Sequence, residues 1–159
     1  MRPPVYLKIY STFIRPKIQY DLPVFSCEVV CMGGKKMFLV DVHRAGGAGE
    51  HDYSDFFDKL VTVRQNYPDL LRYRKVTGEG IQSIFSKAVC QVAIPAEMDE
   101  QALQIFTAYL NAYLDLIDRA RPLEGPVLEK IQKEFETYLQ TVVDHDPGVK
   151  GNIMLFGRQ

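Results

Sequence analysis

Between Val24 and His43, side chains capable of proton chemistry recur at two-residue spacing: Ser26 and Glu28, then Asp41 and His43. Gly33-Gly34 sits midway between the two runs and predicts a two-residue hairpin turn, which needs positive φ at its centre. Met32 then pairs with Lys35, Glu28 with Leu39, Ser26 with Asp41 and Val24 with His43. Because strand side chains alternate by two, Ser26, Glu28, Asp41 and His43 share one face with Val24, Val30, Met37 and Leu39. Phe25, Cys27, Val29, Phe38, Val40 and Val42 form the other face, which is uniformly apolar. The mixed face has two readings. It can meet water, as one side of an antiparallel sheet often does. Alternatively it lies under helices, where burial raises a carboxyl pKa and makes a proton donor that works near neutrality.

The elements that must hold this face follow from periodicity. Residues 5–14 (VYLKIYSTFI) are β-branched and aromatic, and predict a strand that Pro16 breaks. Residues 24–31 and 36–43 are the hairpin strands. Residues 54–66 show helical spacing at Phe56, Leu60, Val63 and Tyr67, with Asp52 or Ser54 as cap and Pro68 as terminator. Residues 84–94 read as strand, with Ile84, Ala88, Cys90, Val92 and Ile94 on its apolar face. A helix is expected from Asp99 to about Ala120, apolar at Leu103, Phe106, Leu110, Tyr113, Leu114 and Ile117. A second runs from about Pro126 to Val143, burying Leu128, Ile131, Phe135, Leu139 and Val142. Residues 152–156 (NIMLF) read as a short extended tail. Strands first and helices later predict an α+β fold: a mainly antiparallel sheet sandwiched by helices in three layers, as one domain over residues 1–159.

Composition narrows the function classes. The 159 residues are 47% apolar and 25% charged, which excludes a chain that is mostly disordered. A net charge of -1 argues against a nucleic-acid coat, which carries a large basic excess. No stretch approaches the roughly 20 apolar residues of a membrane span. Three widely spaced cysteines, Cys27, Cys31 and Cys90, read as core side chains in a reducing compartment, and a cytoplasmic protein is expected. Their spacing does not suit a zinc site.

Other candidates are less specific. The glycine-rich loop at residues 44–52 lacks the Lys-Ser/Thr ending of a phosphate-binding loop. His51 and His145 fall in loops. Arg72, Arg74, Lys75 and Lys87 form the main basic cluster, either a solvated face or a grip for carboxylates. On the last helix Glu134 flanks the apolar stripe beside Tyr138, placed either at the surface or toward a cavity between helix and sheet. No Ser-His-Asp or Cys-His grouping emerges.

Residues 13–42, FIRPKIQYDLPVFSCEVVCMGGKKMFLVDV, resemble the ferredoxin-dependent bilin reductases. The likeness lies in the aromatic and Arg-Pro, the Leu-Pro strand, the glycine turn and a strand ending in Asp. Residues 84–106, IFSKAVCQVAIPAEMDEQALQIF, are similar to that family's Phe-Ser strand and acidic helix start, and NIMLF to its closing segment. The resemblance implies a linear tetrapyrrole such as biliverdin, held between sheet and C-terminal helices. It implies an oxidoreductase with no bound cofactor, supplied with single electrons by reduced ferredoxin and delivering protons to bilin radicals. The family's central-strand acid falls on Glu28 as proton donor, and the next strand's Asp on Asp41, with His43 beside it to tune or relay. Ser26, Met37, Leu39, Ser86, Glu134 and Tyr138 are then expected to line the substrate site, with Arg74 and Lys75 holding its propionates. The chain departs from the family in length, in Glu28 for Asp, in Ile9 where some members place His, and in Phe135 where the last helix carries an Asp. These departures leave a second expectation open, a tetrapyrrole binder without turnover.

Overall fold

The computed structural model describes residues 7–32, 34–44, 52–75 and 82–146. Four antiparallel strands pair in sequence order: β1 (Leu7–Ile14), β2 (Val24–Met32), β3 (Lys35–His43) and β4 (Cys90–Ile94). The hairpin register is the expected one. Met32 opposes Lys35, Glu28 opposes Leu39, Ser26 opposes Asp41 and Val24 opposes His43. Gly34 has φ +79°, the left-handed conformation that a tight hairpin demands and that glycine adopts without steric cost.

The helices are α1 (Ser54–Gln65), α2 (Pro68–Leu71), α3 (Asp99–Arg119) and α4 (Pro126–His145), with short 3-10 turns at Ile18–Tyr20 and Ala96–Met98. The apolar sheet face packs Phe25, Val40, Val42, Cys90 and Val92 against Ile105, Tyr109 and Tyr113 of α3 and Leu60 of α1. Tyrosine suits this interface because its ring adds apolar area while its hydroxyl can be satisfied. The Tyr109 hydroxyl lies 2.6 Å from the Ala88 carbonyl, and the Tyr113 hydroxyl donates to the Pro23 carbonyl at 2.8 Å. On the opposite face α4 lays Phe135 and Tyr138 over Val24, with Ile18, Ile84 and Val142 around them. Helices therefore cover both faces of an antiparallel sheet, the α+β architecture that the order of elements implied.

Three expectations are corrected. The α3 stripe is rotated: Ala102, Ile105, Tyr109 and Ala112 are buried, whereas Leu103 and Leu114 are exposed. On α4, Tyr138 is buried and Leu139 exposed. Strand β4 is short, because residues 85–89 give their backbone groups to turns and to side chains rather than to a ladder. Asp41 accepts from the Ser86 N–H, the Ser86 hydroxyl oxygen accepts from the Ala88 N–H, and the Tyr109 hydroxyl donates to the Ala88 carbonyl. Pro68 follows the end of α1, as expected, and also occupies the first turn of α2, where its missing N–H is harmless. The extended segment expected at residues 152–156 lies outside the described residues, as do residues 5 and 6 of the first strand.

Candidate functional site

Asp41 is fully buried on the mixed face and is held by a residue from the loop before β4. The Ser86 backbone N–H donates to Asp41 Oδ2 at 2.8 Å, and the Ser86 hydroxyl to Oδ1 at 2.5 Å. A carboxylate taken out of water needs such donors, because an unpaired buried charge is costly. Burial nonetheless dominates and raises the Asp41 pKa, with the His43 charge and the Ser86 bonds acting against it.

His43 follows Asp41 by two residues and so shares its face. Its Nε2 lies 3.7 Å from Asp41 Oδ2, and its Nδ1 is 2.8 Å from the Tyr138 hydroxyl of α4. Phe85 and Tyr138 flank the imidazole, with ring centroids at 5.7 and 6.0 Å. Burial lowers the His43 pKa, against the attraction of Asp41 and Asp146. The ring is therefore neutral at pH 7. Nε2 is buried and makes no hydrogen bond among the described residues.

Glu28 projects from the same face but stands apart from this group, half-buried toward the β1 edge, where it accepts a 3.4 Å hydrogen bond from the Ser11 hydroxyl. Burial and the nearby Asp146 raise its pKa. Both acids thus hold protons closer to neutrality than free carboxyls do, the property a proton donor needs.

The remaining expected residues divide by position. Arg74 and Lys75 line a cavity of about 180 Å³ with Gln82, Phe85, Ser86, Val89 and Gln91, so two cations share a cavity with the residue that holds Asp41. Leu39 is buried, while Ser26 and Met37 are half-buried. Glu134 is half-buried one turn before Tyr138 on α4. Phe135 packs at 5.7 Å from Tyr138 and carries the Arg15 guanidinium over its outer face at 4.1 Å. A larger cavity of about 260 Å³ opens on the opposite, apolar face beside Cys27, Val29, Phe38 and Phe106, away from Asp41 and His43. The thiols of Cys27 and Cys90 are pushed up to about 12 by burial, as suits core side chains.

Sequence reasoning missed Phe85 and Gln91. Phe85 lay in plain view beside Ser86. Gln91 is 6% exposed with its amide near Met37 Sδ, and it is a polar residue opposing Leu39 in an otherwise apolar strand. Period-two reading of that strand could have found it.

Comparison with known proteins bears on what this arrangement belongs to. The phycoerythrobilin:ferredoxin oxidoreductase of Gloeobacter violaceus is 26% identical over 145 residues, covering 89% of this chain and 59% of the relative. The 15,16-dihydrobiliverdin:ferredoxin oxidoreductase of Nostoc punctiforme is 25% identical over 142 residues, covering 88% of this chain and 58% of the relative. The chain thus spans under two-thirds of the length of these curated relatives. The crystal structure of tomato phytochromobilin synthase in complex with biliverdin superposes with a TM-score of 0.81 at 18% identity, over 96% of this chain and 56% of that one. That likeness establishes a shared fold. The model of the ferredoxin-dependent bilin reductases matches residues 5–159, and with nearly the whole chain accounted for, this protein belongs to that family.

Proposed function

We propose that this chain reduces a linear tetrapyrrole of the biliverdin class, taking electrons one at a time from reduced ferredoxin and supplying protons from its own carboxyl groups. Each reduced double bond takes two electrons and two protons, and an electron delivered from a docked carrier needs no cofactor in the chain. The protein must then supply a shaped pocket and correctly placed acids. Buried Asp41, 3.7 Å from a neutral imidazole, carries this reading, and half-buried Glu28 on the same face supplies a second donor. Arg74 and Lys75 would hold the propionates in the adjoining cavity, with basic surface side chains docking ferredoxin. Family membership and the kinship with ferredoxin-dependent oxidoreductases support it.

The test is an anaerobic titration with biliverdin, followed by reduced ferredoxin and chromatography of the products. Binding should sharpen or shift the absorption band, and reductant should shift it again as a reduced bilin forms. In Glu28→Gln the rate should fall by about 100-fold or more, or the product should change, since general acid catalysis is worth about that much. A pigment band that reductant leaves untouched would instead make the chain a binder without turnover. No band at all would end both readings.

A further inference from the structure

The hydroxyl of Tyr138 makes a single hydrogen bond among the described residues, to Nδ1 of His43 at 2.8 Å inside the protein. Burial pushes the phenol pKa upward, so the hydroxyl keeps its hydrogen. A neutral imidazole carries one N–H, and the bond made by one ring nitrogen decides where that proton sits. Were the proton on Nδ1, the Tyr138 hydroxyl hydrogen would have no acceptor among the described residues. With Tyr138 donating to Nδ1 that conflict vanishes: the phenol is satisfied, and the ring proton sits on Nε2, 3.7 Å from Asp41 Oδ2.

We infer that Tyr138 is a positioning residue that fixes the tautomer of His43, keeping the imidazole proton on Nε2, the nitrogen facing Asp41. The consequence for chemistry rests on the reading above, in which Asp41 and His43 serve bilin protonation. The proton is held at the Asp41 side of the ring, and Nδ1 is closed to it. Phe85 and Tyr138 pack against the ring and limit its rotation, so the assignment persists without a further hydrogen bond at Nε2. The residues involved come from three distant parts of the chain, with 95 positions between His43 and Tyr138.

Nitrogen-15 NMR of the full chain without ligand tests the tautomer directly. The protein has three histidines, and substitutions at His51 and His145 identify the His43 signals. In the wild type His43 should show a protonated Nε2 and an unprotonated, hydrogen-bonded Nδ1. In Tyr138→Phe, which keeps the ring, that single-tautomer pattern should be lost. In turnover, Tyr138→Phe should lower kcat by roughly 10–100-fold, the scale for losing an orienting bond behind an imidazole, with KM for biliverdin within about twofold. A wild-type spectrum with the proton on Nδ1 overturns the inference even if Tyr138→Phe fails to fold. So does a variant with an unchanged tautomer, or one whose tautomer changes while kcat does not. A chain that reduces no bilin would sink the functional reading, whereas the spectrum would still decide the tautomer.

Discussion

Ser86 grips Asp41 with two donors at once, its backbone N–H on one carboxylate oxygen and its hydroxyl on the other, at 2.8 and 2.5 Å. Ser86→Ala removes one of them from a fully buried group. Leaving that oxygen without its partner should cost about 1–3 kcal/mol at neutral pH, seen as a lower midpoint in urea. The Ser86 bonds hold the Asp41 pKa down, so their loss raises it further. The stability loss should therefore shrink in acid, where the carboxyl is protonated. A deficit that is independent of pH would mean that Ser86 only fills space.

The pH dependence of stability separates His43 from Asp41 by sign. Burial holds the His43 pKa below 6.5, so folding expels a proton from it. Its contribution is full above pH 6.5 and is lost as pH falls through the lower folded value. His43→Asn should flatten the acid-side decline in Tm. Asp41, with a raised pKa, works in the opposite direction: its contribution is full below 3.8 and is lost as pH rises through the folded value. Asp41→Asn should remove that loss. Thermal melts across the acid range read both slopes, and a His43→Asn slope equal to the wild type would contradict the burial assigned to this ring.

Tyr109 is buried on the far side of the sheet, with its hydroxyl within reach of the Leu60 and Ala88 carbonyls at 3.2 and 2.6 Å. Tyr109→Phe leaves the Ala88 carbonyl without this donor in a dry core and should cost about 1–3 kcal/mol, lowering Tm by about 2–4 °C per kcal/mol. Bilin binding at saturating ligand should be unaffected, because this contact lies on the opposite face from Asp41.

Arg74 and Lys75 are exposed and line the same cavity as Ser86. Removing both charges should leave stability within about 0.5 kcal/mol, as for most surface substitutions. It should weaken biliverdin binding by roughly 10–100-fold, the worth of one charge-assisted hydrogen bond to a carboxylate. A biliverdin dimethyl ester, which has no carboxylates, should bind the wild type and the double variant alike. Unchanged affinity for the free acid would remove this cavity from the propionate site.

The hairpin could be read from the chain because two local signals agree on it. Alternation puts Phe25, Val40 and Val42 on one face and Ser26, Asp41 and His43 on the other, and the glycine pair admits a register in which Ser26 meets Asp41. A slip of one residue would bury the wrong face, so the pattern itself enforces the register. Helix faces are less determinate. Both α3 and α4 carry large apolar residues over a wide arc, and a wheel does not say which part of the arc meets the sheet. Periodicity therefore points Leu103, Leu114 and Leu139 at the core, although Ala102, Ile105, Tyr109 and Tyr138 hold those places.

What the chain alone determined is the co-facial set Ser26, Glu28, Asp41 and His43, because strand geometry acts between neighbours two residues apart or directly across a tight turn. Only the tertiary structure decided what those groups do to one another. It set Glu28 apart toward Ser11, gave Asp41 the donors of Ser86, and closed His43 Nδ1 with Tyr138. The last two bonds join residues 45 and 95 positions apart, where no local periodicity reaches and packing alone selects the partner. Burial then moves the proton affinities of Asp41 and His43 in opposite directions, since it disfavours the charge on each.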